Sequence, residues 1–270
     1  MIRVEKQSAP QILIDNASTW TQELLDLIAK HGGYDKIPKS LKDSAVNKYR
    51  HPDIQAAVGE MTKGKCVFCE SIINETTYLN IEHFKPKSKF PDLTFDWNNL
   101  FPSCLMCNNG KDKDVDGHPA DLVNPLTEDP EQYFTYKELK ICARDTAPNS
   151  QKANDTIINC KLQRNSLIID RAKILTQFYD YEVRLETAVK SFAELKRKDA
   201  KITRALNIIE SLKVLKSNTG KFEQYAGFWR ETIRKSRTVN DAMNILASLH
   251  ADLGLPKTGF DWGWNYFTVN

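Results

Sequence analysis

Two pairs of closely spaced cysteines constrain the fold of this chain more than any other feature. Cys66 and Cys69 form one CxxC pair, and Cys104 and Cys107 form a second. Four thiolates at this spacing make two knuckles that can complete the tetrahedral shell of a structural zinc ion. The 34 residues between the pairs exceed the roughly 15 to 20 of a simple zinc ribbon. The sequence therefore predicts a zinc-stapled fold with further structure inserted between the knuckles.

The composition is that of an ordinary globular protein. Of the 270 residues, 41% are hydrophobic and 27% are charged, which argues against a disordered chain. The first residues lack the pattern of a secretory signal, and no stretch approaches the roughly 20 apolar residues of a membrane helix. We therefore expect a cytoplasmic protein that does not enter a membrane. In that reducing compartment, the six cysteines favour metal binding or buried thiols over disulfides.

The sequence pattern predicts an α+β protein in three parts. Residues 1–64 form a helical segment, in which Thr19 is the predicted N-cap of the first helix, the run His31-Gly32-Gly33 ends that helix, and Pro52 begins a second one. Residues 65–149 carry short strands, the cysteine knuckles and a bridging hairpin within 133–145. Residues 150–270 form a helical domain, because their apolar residues recur every three or four positions.

The helical domain is also the basic part of the chain. Residues 151–240 contain 19 Lys and Arg against 10 Asp and Glu, while the whole chain has a net charge of only +3. Three interpretations stay open: a nucleic-acid surface, a docking surface for a partner, and ordinary amphipathic helices in their own bundle.

The segment between the knuckles contains the residues suited to catalysis. Glu82 and His83 are neighbours in IEHFKPK, on a predicted strand. Histidine can accept a proton from water near neutral pH, and the oxygens of Glu82 and Asn108 suit Mg²⁺ or Mn²⁺. Neighbouring side chains on a strand point to opposite faces, so this interpretation requires a bulge that turns the two together. Nearby lysines can contact phosphates: Lys85, Lys87 and Lys111.

Two segments of the chain resemble the ββα-metal HNH endonucleases, in their variant with four zinc-binding cysteines. They are CVFC at 66–69 and IEHFKPKSKFPDLTFDWNNLFPSCLMCNNGK at 81–111. The resemblance implies that His83 is the general base and that Glu82 and Asn108 hold a catalytic divalent ion. It further implies that Asn99 holds the loop that orients the base, while from the residues alone either Asn99 or the adjacent Asn98 could face that loop, depending on the register. Glu82 stands where Asp is commoner in the family, and Asn108 where many members have histidine.

The resemblance extends to IRVEKQSAP, to YRHPDIQAAVGEM and to DLVNPLTEDPEQYFTY, and more loosely to TIINCKLQRNSLIIDR. Together these segments resemble the HNH subunit of Septu-type anti-phage systems, whose relatives accompany some retrons. The resemblance implies an endonuclease that hydrolyses phosphodiester bonds in DNA and acts with an ABC-type ATPase subunit in phage defence. Two alternatives remain: a nuclease that cuts RNA such as tRNA, and an inert zinc-stabilised module that binds nucleic acid or a partner.

Overall fold

The structure is a computed structural model that describes residues 1–73, 79–108 and 121–253, the last four without their side chains. It divides into two compact units, Met1–Leu167 and Ile168–Asn270. The division predicted at residues 64 and 149 remains a prediction. Lys111 lies outside the described residues.

The elements follow one another along the chain as α1 (Gln11–His31), α2 (Lys39–Val46), α3 (Pro52–Glu60), β1 (Asn80–His83), β2 (Leu100–Ser103), α4 (Leu105–Asn108), α5 (Pro130–Tyr133), β3 (Phe134–Lys137), β4 (Lys140–Ala143), α6 (Ser150–Asn159), α7 (Asn165–Glu194), α8 (Lys198–Ser217), α9 (Ala226–Lys235) and α10 (Arg237–Leu253).

Helix α1 begins earlier than its sequence pattern indicated. The prediction that Thr19 is its N-cap is wrong, because Pro10 in extended conformation is the N-cap and Thr19 lies inside the helix. The earlier start buries Leu13, which is 2% exposed and contributes to the core. The predicted end is confirmed: Gly32 adopts a φ of 71°, and the N–H groups of Gly32 and Gly33 close the last turn.

Helix α3 has the predicted start. Pro52 occupies its first turn, where the missing N–H costs nothing, and the ring of His51 accepts a hydrogen bond from the Asp53 N–H. Ile54 and Val58 are fully buried. Since α3 packs against β2, the helical segment lies directly on the strand pair of the knuckle region.

The knuckle region contains a hairpin-like pair of strands followed by a short helix. Strands β1 and β2 pair antiparallel, with His83 opposite Leu100, and α4 packs against β1. The long connection between the strands packs against α1, where Trp20 contacts Phe95 edge-to-face at 5.4 Å between ring centroids. This β–β–α arrangement confirms the predicted α+β fold class.

The predicted hairpin and the predicted helical region are both present. Strands β3 and β4 pair antiparallel across a turn at Glu138, whose φ of 54° is in the left-handed region. From residue 150 to residue 253, every regular element is a helix, α6 to α10. Within the described residues, no helix combines the length and the apolar character needed to cross a membrane.

Candidate functional site

The four cysteines of the two knuckles converge to a single cluster. Their Sγ atoms all lie within 4.8 Å of one another, and those of Cys69 and Cys104 are 3.8 Å apart. Tetrahedral zinc with Zn–S bonds of about 2.3 Å places its sulfurs roughly 3.8 Å apart. The cluster therefore has the donor set and the spacing to hold a metal ion of this kind.

Each knuckle is closed by its own backbone. In the first, the Glu70 N–H donates to the Cys66 carbonyl at 2.9 Å, and Glu70 has a φ of 63°. In the second, the N–H groups of Cys107 and Asn108 both donate to the Cys104 carbonyl. These tight turns bring the two thiols of a CxxC pair to the same side of the chain.

Burial and mutual hydrogen bonding shift the thiol pKa values in opposite directions. Hydrogen bonds from the neighbouring thiols, with Cys104 the largest contributor, hold the pKa of Cys69 well below its ordinary value. Burial raises the pKa of Cys66 well above it. A buried thiol of raised pKa ionises when a metal ion binds, because the ion compensates the charge that burial penalises.

Arg164 also contacts the cluster, although no spacing pattern in the sequence indicated it. Its guanidinium donates to the Sγ atoms of Cys69 at 3.2 Å and Cys107 at 3.5 Å, with Cys104 at 3.9 Å. Four thiolates around a divalent ion carry a net charge of −2, which a cation at this distance reduces. Arg164 is therefore placed to stabilise the ionised, metal-binding form of the cluster.

Glu82 and His83 occupy the end of β1, and both side chains are 6% exposed. The expected bulge is absent. Pairing with β2 is regular from Asn80 to His83, and the next N–H, of Phe84, still donates to the Asn99 carbonyl at 2.9 Å. Regular pairing sends successive side chains to opposite faces, so Glu82 and His83 project from opposite faces of β1 at its end.

Two contacts fix the imidazole of His83. Its Nε2 lies 2.9 Å from the Thr94 carbonyl oxygen, and its ring meets that of Tyr49 edge-to-face at 4.6 Å. A carbonyl oxygen only accepts, so Nε2 carries the hydrogen and Nδ1 is the basic nitrogen of the neutral ring. The surroundings thus select one tautomer and one ring plane.

The side chain of Asn99 forms hydrogen bonds to both ends of the loop between β1 and β2. Its Oδ1 accepts from the Lys85 N–H at 2.6 Å, and its Nδ2 donates to the carbonyls of Lys85 and Leu93, each at 3.0 Å. Leu93 immediately precedes Thr94, whose carbonyl holds His83. Asn99 is 4% exposed whereas Asn98 is exposed, so it is Asn99 that contacts the loop.

The remaining predicted residues lie around the same hairpin. Asn108 ends α4, which packs against the strand that carries Glu82 and His83. Lys85 and Lys87 follow β1 directly and are half-buried. The structure thus brings the four cysteines into one cluster and joins His83 to Asn99 through one loop.

Residues from the first fifty positions enter the site without having been singled out from sequence. Tyr49 contacts His83, and Arg50 Nε donates to the Tyr49 hydroxyl at 3.2 Å. Lys6 Nζ donates to the carbonyls of Trp97 and Leu100 and lies 4.0 Å from the centroid of the Phe101 ring. Burial lowers the pKa of Lys6 to about 7, with Asp96 opposing the shift. The only signal for these residues was that they lie in the segments IRVEKQSAP and YRHPDIQ.

Comparison with known proteins agrees with this geometry. Residues 66–114 match the family model for the HNH endonuclease. The strand pair, α4 and the cysteine cluster therefore form an HNH endonuclease domain.

Over part of its length the chain is, in addition, homologous to Septu protein PtuB. It is 32% identical over 148 residues to Septu protein PtuB of Bacillus thuringiensis, which covers 52% of this chain and 51% of that protein. It is 29% identical over 205 residues to Septu protein PtuB of Bacillus mycoides (strain KBAB4), which covers 64% of this chain and 67% of that protein. The chain thus spans about half the length of the first relative and two thirds of the second.

Proposed function

We propose that this protein is a metal-dependent endonuclease that hydrolyses phosphodiester bonds of DNA in a Septu-type defence system. The single observation that carries the proposal is the hydrogen bond that fixes the tautomer of His83. Its Nε2 is engaged by the Thr94 carbonyl at the end of a β–β–α hairpin, so its Nδ1 is the nitrogen that accepts a proton. The match of residues 66–114 to the HNH endonuclease model supports the same activity.

In this proposal His83 acts as the general base. Nδ1 accepts a proton from a water molecule whose oxygen forms a bond to phosphorus, while the bond from phosphorus to the leaving sugar oxygen breaks. The Thr94 carbonyl accepts the Nε2–H throughout and stabilises the imidazolium that results. Asn99 acts through this carbonyl, because it fixes the loop that carries Thr94.

Glu82 and Asn108 would hold the catalytic divalent ion, Mg²⁺ or Mn²⁺. Their carboxylate and amide oxygens are the hard donors that such ions prefer, and α4, which ends at Asn108, packs against the strand that carries Glu82. The ion would supply positive charge to the scissile phosphate and the leaving oxygen. We assign zinc to the cluster of Cys66, Cys69, Cys104 and Cys107, where it would staple the fold without taking part in the reaction.

The proposed partner is an ABC-type ATPase subunit, with which the protein would act in the cytoplasm. This assignment rests on the homology to a Septu protein and on the resemblance of the chain outside the HNH domain. Co-purification with the product of the neighbouring gene, followed by cleavage assays with and without ATP, tests it. Failure of any ATPase to co-purify would contradict the assignment.

The activity is tested with the purified protein or complex, plasmid DNA and total RNA, with Mg²⁺ or Mn²⁺ added. We expect cleavage of DNA by the wild type and a loss of at least about 100-fold in His83→Ala, the usual range for removal of a general base. His51→Ala is the matched control, since His51 caps α3 and its ring accepts from the Asp53 N–H. Undiminished cleavage by His83→Ala would refute the proposal, and cleavage of RNA alone would change the substrate.

A further inference from the structure

Two cationic side chains and one aromatic ring lie together beside His83. The Arg50 guanidinium carbon and the Lys87 ammonium nitrogen are each 5.6 Å from the centroid of the Tyr49 ring. That ring is in turn 4.6 Å from the imidazole of His83. Arg50 ends the turn before α3, whereas Lys87 follows β1, so two distant segments of the chain supply the two charges.

Neither cation is neutralised within the described part of the chain. Arg50 and Lys87 form no ion pair with a described carboxylate, and only the Nε of Arg50 donates to a side chain, the Tyr49 hydroxyl at 3.2 Å. The outer edge of the guanidinium, which presents a fork of parallel N–H groups, has no described acceptor. Lys48, two positions before Arg50, differs in forming an ion pair with Glu23.

The backbone around Arg50 is fixed. The Arg50 carbonyl accepts a hydrogen bond from the Gln55 side chain at 2.8 Å, and the next residue caps α3. The phenol of Tyr49 is buried, with the residue 5% exposed, whereas Arg50 is exposed. A buried ring thus holds an exposed cation in one place, which reduces the entropy lost when that cation binds a ligand.

We propose that Arg50 and Lys87, held on the ring of Tyr49, form a binding site for a backbone phosphate next to the scissile one. This proposal rests on the proposed nuclease function, because a site beside His83 is next to the scissile phosphate only if His83 is the general base. A phosphate fits because both cations are held on one ring and neither forms an ion pair with a described carboxylate, so an anion supplies the charge that each lacks. The arginine fork matches phosphate oxygens in a bidentate manner, and the lysine adds a point charge.

The site is tested by binding rather than by cutting. Fluorescence anisotropy measures the affinity of the zinc-loaded protein for labelled single-stranded and duplex DNA, without added Mg²⁺ or Mn²⁺, over a series of salt concentrations. We expect Arg50→Gln and Lys87→Gln each to weaken binding several-fold. We also expect each to reduce the slope of log affinity against log salt by about 0.7 for single strands or about 0.9 for duplex.

Lys48→Gln is the matched control, because it removes the same charge from the same turn but from a lysine already paired with Glu23. We expect its salt slope to equal that of the wild type. Unchanged slopes in Arg50→Gln and Lys87→Gln, an equal loss in Lys48→Gln, or no binding by the wild type would each overturn the proposal. A wild type that binds with the expected slopes but never cuts would overturn the nuclease activity and leave the phosphate site in place.

Tyr49 is a positioning residue in this arrangement, and its two contacts can be separated by substitution. Tyr49→Phe keeps the ring against His83 and removes the hydroxyl that anchors Arg50, so we expect a higher KM with kcat retained. Tyr49→Leu removes the ring as well, so kcat should fall too. Equal effects of the two substitutions on both constants would contradict a positioning role, since a purely structural defect has no reason to divide in this way.

Discussion

Removal of the Asn99 side chain should destabilise the hairpin that carries His83. Asn99→Ala deletes three buried hydrogen bonds: one from the Lys85 N–H, and two to the carbonyls of Lys85 and Leu93. A net contribution of about 0.5 to 1.5 kcal/mol for each bond gives an expected loss of about 1.5 to 4.5 kcal/mol in the free energy of unfolding. Cleavage should fall as well, because the carbonyl of Thr94 that orients the base belongs to the same loop.

Two measurements check this expectation. Urea unfolding of the zinc-loaded protein, followed by tryptophan fluorescence, gives the loss of unfolding free energy. Hydrogen exchange of the Lys85 amide reports the local contact, because that N–H loses its acceptor in the variant. Asn98→Ala is the control: its side chain is exposed, so its effect should stay within about 0.5 kcal/mol. If Asn99→Ala cost no more than Asn98→Ala and left the Lys85 amide protected, the role of Asn99 as a tie would be refuted.

Asn99→Asp tests the donor role of Nδ2 separately, because aspartate has nearly the shape of asparagine but lacks its N–H donor. Asn99→Asp keeps an acceptor for the Lys85 N–H but turns a carboxylate oxygen toward two carbonyls. This contact raises the pKa of the new carboxyl in the folded state, so the folded protein binds more protons than the unfolded chain. The variant should therefore lose stability as pH rises above the unfolded pKa of about 4 and regain it in acid. A loss of stability independent of pH would contradict the donor role of Nδ2.

Three further predictions concern the cysteine cluster and the half-buried Lys6. Cys104→Ser should reduce the zinc content measured by atomic emission to well below one ion per chain. Cys142→Ser, which lies outside the cluster, should leave the zinc content unchanged. Equal zinc content in the two variants would contradict the assignment of zinc to the cluster. Arg164→Met should release zinc to a colorimetric chelator about 10-fold faster or more. Arg164→Lys should release zinc at an intermediate rate, because lysine keeps the charge but lacks the paired N–H groups of the guanidinium. Wild-type release rates in both variants would exclude a role for Arg164. Because burial lowers the pKa of Lys6 to about 7, the unfolded chain binds more protons there between about pH 7 and pH 10, and the unfolding free energy should rise with pH by up to about 1.4 kcal/mol per unit in that window. Lys6→Met should remove that rise, and a stability difference from wild type that stays constant with pH would contradict it.

The sequence by itself predicted the features that depend on short spacings. The two CxxC pairs predicted a four-cysteine cluster because each knuckle closes within four residues, and the structure brings all four sulfurs together. The positions of glycine and proline likewise predicted where α1 ends and where α3 begins. Local steric rules govern these features, so a short stretch of sequence contains the necessary information.

Features that depend on packing were not available from the sequence. The start of α1 was placed near Thr19 because a threonine is a good N-cap, yet the burial of Leu13 favours a longer helix. The choice between Asn98 and Asn99 could not be made from their identical side chains. It follows from the turn before β2, which directs Asn99 toward the loop between β1 and β2 and leaves Asn98 exposed.

The tertiary structure alone decided which distant residues complete the site. Arg164 lies 95 positions from Cys69 and yet donates to its sulfur, and Tyr49 reaches His83 from a turn that precedes the first knuckle. Neither residue belongs to a motif of fixed spacing. Each contact follows from how helices and strands pack, because side chains far apart in sequence meet only when the elements that carry them bury a common surface.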